Sequence, residues 1–117
     1  DKLARAFNNV LKNAISYSYP NTVIRVAVKQ EAEHILLEFH NQGDEIPEQK
    51  LEMIFEKFFR LDKARSTASG GAGLGLAIAK EIVEAHGGSI YADSNMEETV
   101  FYIKLPMPAT DTELQSA

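Results

Sequence analysis

Three asparagines lie close together near the start of the chain, at Asn8, Asn9 and Asn13. Asparagine is a poor helix former because its amide competes with backbone hydrogen bonds, yet the surrounding residues favour a helix. Asn9 and Asn13 are four residues apart, so a helix would present both amides on one face. Neutral oxygens placed in this way suit Mg²⁺, which shares its coordination shell with waters and ligand phosphates. A polar helix face explains the pattern equally well, so both interpretations stay open.

A run of glycines precedes a second segment with helical spacing. Four of the seven glycines fall within six positions, at Gly70, Gly71, Gly73 and Gly75. Glycine lets the backbone approach a ligand closely, and a helix N-terminus presents free N–H groups and a partial positive charge. Residues 57–65 add four basic side chains against one acidic side chain. We favour a phosphate-binding loop over a merely flexible one, although both the G-x-G-x-x-G pattern and the P-loop lysine are missing.

A third polar segment, residues 41–47, follows a predicted strand and reads NQGDEIP. Its amides and glycine could bind the edge of a base, but on spacing alone an ordinary turn is the better interpretation. The three histidines, His34, His40 and His86, do not share the spacing of metal ligands. We expect His86, at the end of a predicted helix, to have a structural role.

The composition limits the classes of protein that this chain can be. With 117 residues, 44% hydrophobic and 25% charged, it is expected to form one globular domain. The absence of cysteine excludes a disulfide scaffold, a thiolate metal site and a cysteine nucleophile. A net charge of −5 disfavours nonspecific nucleic-acid binding, so we expect no nucleic-acid partner. The apolar runs are too short to span a membrane, and no signal peptide is recognised.

The hydrophobic pattern predicts the elements that position these residues. Helices are predicted over residues 2–18, from Pro47 to about Leu61, and over 74–86. Paired strands are predicted over 22–29 with 34–40, and over 89–94 with 99–105. The inner face of the first helix is predicted to carry Leu3, Phe7, Val10, Leu11, Ala14 and Ile15. The predicted fold class is α+β: a two-layer α/β sandwich with a mixed, largely antiparallel sheet and three helices on one face.

Taken in order, these segments resemble the catalytic ATP-binding domain of sensor histidine kinases, in the GHKL ATPase superfamily. The resemblance is carried by the N box at 9–13, the G1 box at 41–47, the F box at 55–60 and the G2 box at 71–76. The His-Gly-Gly sequence at 86–88 is the usual end of the helix that follows the G2 box. Within this family, the chain is most similar to the sensor kinases of vancomycin-resistance operons.

The resemblance implies the Bergerat ATP-binding fold over residues 1–106, with residues 107–117 as a flexible tail. The strand that precedes the N-box helix in the family is missing from this chain. One edge of the sheet is therefore expected to be exposed or to be covered by a neighbour.

The resemblance also implies roles for the matched residues, with ATP and Mg²⁺ as cofactors. Asn13 would coordinate Mg²⁺ and Asn9 would assist at the phosphates, so both count as catalytic. Tyr17 would pack against the adenine. Asn41 would accept a hydrogen bond from the adenine amino group, and Gly43 would let the backbone approach the base.

Further cofactor-binding residues follow from their places in the motifs. These residues are Ile46, Lys57, Arg60, Gly71, Gly73, Leu74 and Gly75. The two basic side chains would pair with phosphate oxygens. The three glycines would form the hinge of a mobile lid, residues 62–69, over the triphosphate.

Departures from the family pattern leave a second interpretation open. Asn41 stands where aspartate is usual, Glu45 stands at the second glycine of the G1 box, and Ser16 replaces a lysine. The alternative is a degenerate, non-catalytic module that binds nucleotide or docks a partner. A GHKL ATPase of the chaperone or topoisomerase type is disfavoured, because Asn9 occupies the position of its glutamate general base.

The implied function is transfer of the γ-phosphate of ATP to a histidine on a separate dimerisation domain of the same kinase. None of the three histidines of this chain lies in the sequence context of that acceptor. The other implied partner, reached indirectly, is a response regulator. The parent protein would be a membrane-anchored homodimer with this domain in the cytoplasm.

Overall fold

The computed structural model describes residues 1–59 and 74–107. Its first element is helix α1, Lys2–Tyr17. Asp1 caps this helix, because its carboxylate accepts a hydrogen bond from the backbone N–H of Leu3 at 2.9 Å. The fully buried residues of α1 are Ala6, Val10 and Ala14. The prediction that Ile15 also faces inward is wrong, since this side chain is 54% exposed.

Four strands form one antiparallel sheet in the order β1-β2-β4-β3. The strands are β1 Arg25–Glu31, β2 His34–Asn41, β3 Ser89–Ser94 and β4 Thr99–Pro106. Both predicted hairpins are confirmed, and the pairing of β2 with β4 joins them into a single sheet. The first strand begins three residues later than predicted and runs to Glu31.

Helix α2, Gly75–Ala85, packs beside α1 and against β3. Gly87, with φ of 79°, allows the chain to turn out of the helix. Gly88 then lies against β4 so closely that a β-carbon would collide with the backbone carbonyl of Lys104. The core between the helices and the sheet includes Val10, Phe39, Ile82, Val83, Phe101 and Ile103.

The segment predicted as a helix from Pro47 is helical only in two single 3₁₀ turns, Glu48–Lys50 and Met53–Phe55. The apolar residues of this segment do have helical spacing. The backbone nevertheless leaves the helical region at Glu56, and Phe58 has φ of 65°. Leu61, the predicted end, lies outside the described residues.

Strand β1 forms one edge of the sheet, and its apolar side is poorly covered. Val26 and Val28 are 50% and 66% exposed. They stand opposite Phe39 and Leu37 of β2, on the side of the sheet that carries the helices. Neither helix therefore extends over β1.

The fold class predicted from the sequence is confirmed: the domain is a two-layer α+β sandwich with its helices on one face of the sheet. All the strand pairings in the described ranges are antiparallel. Of the helices in the described part of the chain, none combines the length and apolarity needed to cross a bilayer.

Candidate functional site

A cavity of about 480 Å³ opens between the two helices and the ends of strands β2 and β4. Its wall includes Asn13 and Tyr17 from α1, Asn41 from β2, Leu76 from α2 and Thr99 from β4. This volume is in the range of about 300–1,000 Å³ that is usual for small-molecule sites. Two of the three polar segments found in the sequence, the N box and the G1 loop, thus line one cleft.

The N-box helix also touches the start of α2. Asn9 Nδ2 donates a hydrogen bond to the backbone carbonyl of Gly75 at 3.2 Å. Asn13, one helical turn further along, lines the cavity together with Leu76, the residue after Gly75. The end of the glycine-rich segment and the two asparagines are therefore neighbours, as a shared site for phosphates and a metal ion would require.

Asn41 provides a buried polar group at the floor of the cavity. The residue is 3% exposed, and its Oδ1 has no hydrogen-bond partner among the described residues. The strand register places it opposite Thr99. Thr99 Oγ1 lies 2.6 Å from Ser94 Oγ, which in turn accepts the backbone N–H of Ile46 at 2.9 Å. The hydrogen bonds of Thr99 and Ser94 thus lie beside Asn41 Oδ1, an acceptor that a ligand could use.

Gly43 holds the G1 loop against the end of α1. A β-carbon at this position would collide with the backbone carbonyl of Tyr17. The neighbouring backbone is tied to the same place, since Tyr19 N–H donates to Gln42 O at 2.7 Å. The close approach that Gly43 allows here is to α1. The role at the base that the resemblance implies for it stays a prediction.

Charged residues line the side of the cavity formed by the G1 loop and the 3₁₀ turn that follows it. Asp44, Glu45 and Lys50 all belong to the wall. The Tyr19 hydroxyl donates to Asp44 Oδ1 at 2.8 Å. Glu45, which stands at the second glycine of the G1 box, is exposed.

The remaining predicted site residues are placed as follows. Ile46 is 7% exposed and lines the cavity. Leu74 precedes α2 and is half-buried, while Lys57 is exposed and does not belong to the cavity wall. Arg60, Gly71, Gly73 and the predicted lid at 62–69 lie outside the described residues.

Sequence reasoning missed several residues of the wall. Thr99 is the most informative of them, because it reaches the cavity only through the pairing of β2 with β4. The apolar part of the wall includes Ile54, Phe59 and Phe101. Aligning the polar end of β2 with the polar start of β4 would have suggested Thr99.

A charged cluster lies on the other face of the sheet, away from the cavity. Glu38 accepts from His40 Nε2 at 2.9 Å and pairs with Lys29 Nζ at 3.1 Å. His40 Nδ1 lies 3.1 Å from Glu98 Oε1 and 3.4 Å from Arg25 Nη2. The hydrogen bond from His40, with help from Lys29, lowers the pKa of Glu38 although burial opposes this shift. This cluster ties β1 and β2 to the turn that precedes β4, and none of its residues lines the cavity.

Residues 1–109 match the family model described as histidine kinase-, DNA gyrase B-, and HSP90-like ATPase. The chain therefore belongs to this ATPase family, whose domains bind ATP. The family predicted from the sequence motifs is confirmed.

Curated relatives and a solved structure narrow the likeness to sensor kinases. The chain is similar to the sensor protein VanS of Enterococcus faecium, at 57% identity over 91% of this chain and 27% of VanS. It is similar to the sensor protein VanSC of Enterococcus gallinarum, at 44% identity over 95% of this chain and 30% of VanSC. The mycobacterial sensor histidine kinase MprB superposes with a TM-score of 0.78 at 37% identity, over 92% of this chain and 72% of that one. The chain thus spans less than a third of the length of the two curated relatives.

Proposed function

We propose that this chain is the ATP-binding catalytic domain of a two-component sensor histidine kinase. It would hold Mg·ATP in the cleft and present the γ-phosphate to a histidine on a separate dimerisation domain. The observation that carries the proposal is the meeting of α1 and α2 at one cavity, marked by the hydrogen bond from Asn9 to Gly75. The family and the sensor-kinase relatives support it.

The floor of the cavity suits the base of the nucleotide. Asn41 Oδ1 is a buried acceptor without a partner among the described residues, and the exocyclic amino group of adenine is a donor. Tyr17 and Ile46 offer apolar surface beside it. With the base at this end, the triphosphate extends toward Asn13 and the start of α2.

The residues at the other end of the cleft fit a magnesium ion that is shared with the phosphates. Asn13 would be the protein ligand, through its amide oxygen. In the described ranges, no three histidine, cysteine or acidic side chains are grouped to hold a metal. The remaining ligands would be phosphate oxygens and waters, the usual arrangement for Mg²⁺. Bound there, the ion would neutralise charge on the phosphates.

The contribution of this chain to phosphoryl transfer is to position the nucleotide. Asn9 is an amide whose N–H donates to Gly75 O, so it cannot take a proton from water as a carboxylate base would. This favours transfer to an acceptor over hydrolysis. None of the histidines lines the cavity: His34 and His40 belong to β2, and His86 follows α2 with its ring against the carbonyl of Ile82. The acceptor would therefore come from another domain.

The partners follow from this proposal. They are the histidine-bearing dimerisation domain of the same kinase and, downstream, a response regulator. The parent protein would be a membrane-anchored homodimer with this domain in the cytoplasm. Within the chain, residues 1–106 would form the catalytic domain and residues 107–117 a tail.

The test is transfer of radiolabelled γ-phosphate from ATP to an added dimerisation domain of the parent kinase. We expect magnesium-dependent labelling of that domain and none of this chain. Asn13→Ala should lower the rate by about tenfold or more, because it removes a metal ligand. Asn8→Ala is the matched control, since Asn8 is an exposed asparagine on the same helix.

Three results would contradict the proposal. Equal rates for Asn13→Ala and Asn8→Ala would remove the metal assignment. Phosphate on His34, His40 or His86 would show that the acceptor lies within this chain. No binding at millimolar Mg·ATP would favour the docking module that the sequence left open.

A further inference from the structure

We propose that Asn41 lets the cleft accept 6-oxopurine nucleoside triphosphates, such as ITP and GTP, as well as ATP. This inference rests on the proposed function, because it concerns the base of the nucleotide held in the cleft. Asn41 would determine which bases the cleft accepts, and it would admit both 6-aminopurines and 6-oxopurines.

The position of Asn41 makes its side chain the group that a base would meet. It is the last residue of β2, it lines the cavity, and only 3% of its surface is exposed. Its Oδ1 is completely buried and has no partner among the described residues. Because Oδ1 has no such partner, rotating the Asn41 amide by 180° would break no hydrogen bond at this oxygen.

The hydroxyl groups beside Asn41 are occupied with each other. Thr99, its neighbour across the sheet, lies at 2.6 Å from the Ser94 hydroxyl. Ser94 also accepts the backbone N–H of Ile46. Among the described residues, the amide of Asn41 thus keeps an acceptor at this floor that is left to meet the edge of a base.

An amide can complement either kind of purine. Adenine presents a donor, its 6-amino group, beside an acceptor, its N1 atom. Hypoxanthine and guanine present the reverse, an acceptor at O6 beside a donor at N1–H. The Asn41 amide offers an acceptor and a donor of nearly equal shape, so a half-turn of the amide would match each pattern. An ionised carboxylate at the same place could only accept. Its oxygen at the 6-position would accept from the amino group of adenine, whereas it would meet O6 of hypoxanthine or guanine as acceptor against acceptor.

The experiment measures dissociation constants of the magnesium complexes of ATP and ITP by calorimetry at pH 8. ITP is the main probe because it lacks the 2-amino group of guanine and so isolates the 6-position. We compare this chain with Asn41→Asp, which has nearly the same volume but only acceptors when ionised. Asn8→Asp is the control, since it makes the same change at an exposed position of α1.

We expect the unsubstituted chain to bind ATP and ITP with constants within about tenfold of each other. Asn41→Asp should raise the preference for ATP over ITP by about tenfold or more, because O6 would then meet an acceptor in a buried place. Asn8→Asp should leave the preference unchanged. The same preference in Asn41→Asp and the unsubstituted chain overturns the inference.

Two further outcomes keep the inference separate from the proposed function. If Asn41→Asp does not fold, the ratio of the ATP and ITP dissociation constants of the unsubstituted chain is the test. A preference for ATP above about a hundredfold would overturn this inference but leave the proposed function intact. If the unsubstituted chain binds neither nucleotide, the proposed function fails and the inference fails with it.

Discussion

At the scale of single residues, Gly43 shows how a backbone contact shapes the cleft. The G1 loop approaches the last turn of α1 so closely that only a residue without a β-carbon fits beside the Tyr17 carbonyl. The same loop carries Ile46 and follows Asn41, both of which line the cavity. The packing of one glycine therefore positions two residues of the candidate site.

Gly43→Ala is expected to destabilise the domain by about 1–3 kcal/mol, because the loop or the helix must move to make room. The displaced loop should also weaken ATP binding. Urea unfolding and calorimetric titration with Mg·ATP measure the two effects. Gly75→Ala is the stability control, since nothing lies within 4 Å of a β-carbon built there. Unchanged unfolding of Gly43→Ala would show that the contact is not tight.

The sequence predicted some residues of the cleft and could not predict others. Asn13 and Asn41 were found because motif order and helical spacing are local properties of the chain. Thr99 was missed because it joins Asn41 only through strand pairing across a long stretch of sequence. Spacing alone places Ile15 in the core, yet no element in the described part of the chain covers that side of α1. Spacing gives the direction of a side chain but not what lies there.

At the scale of elements, the junction of α2 with the sheet depends on two adjacent glycines with different functions. Gly87 needs its positive φ to leave the helix. Gly88 needs the absence of a β-carbon, because the Lys104 carbonyl and the side chains of Val83 and Leu105 surround it. The first requirement concerns the backbone conformation and the second concerns packing.

Replacing each glycine by alanine separates these two requirements. Gly88→Ala should lower the free energy of unfolding by about 1–3 kcal/mol through overpacking. Gly87→Ala should lower the free energy of unfolding by about 1 kcal/mol. The added β-carbon would make an ordinary contact with Pro106 Cγ at 3.5 Å, so the cost comes from the positive φ, which disfavours alanine. Thermal unfolding of the two variants provides the comparison. A smaller loss for Gly88→Ala than for Gly87→Ala would contradict this account of the junction.

The segment after Pro47 shows where element prediction failed. Leu51, Ile54, Phe55 and Phe58 have the spacing of a helix face, and a single helix was predicted from them. The chain instead makes two 3₁₀ turns, and Phe58 is 66% exposed. Ile54 and Phe55 do reach the core, so the pattern identified these two buried residues but not Phe58 or the backbone conformation of the segment.

At the scale of the whole molecule, the charged cluster behind the sheet links stability to pH. Glu38 faces His40 and Lys29, and His40 faces Glu98 and Arg25. The pKa of Glu38 is held below its ordinary value of 4.5, first by the hydrogen bond from His40. A carboxylate with a lowered pKa stabilises the fold above its unfolded pKa, and this stability is lost as the pH falls through its folded pKa.

We therefore expect the domain to lose stability as the pH falls below 4.5, the ordinary pKa of this carboxyl, and through its lowered folded pKa. Glu38→Gln should remove about 1 kcal/mol at pH 7 and should make the loss on the acid side shallower. Urea unfolding at several pH values measures both. Glu84→Gln, a substitution of an exposed glutamate on α2, is the control. If the free energy of unfolding falls equally steeply with acid pH for Glu38→Gln and for the unsubstituted chain, this cluster makes no contribution.

Strand β1 has a consequence for handling this chain by itself. Its outer edge presents backbone N–H and C=O groups that no other described strand takes up, and its two valines are left half uncovered. Arg25 and Lys29 place two positive charges along the same strand, and like charges on an exposed edge discourage self-association. Salt screens such charges within about 8 Å at physiological ionic strength, and within less as salt rises. Concentrated samples should therefore stay monodisperse in dilute buffer and begin to aggregate as salt is added.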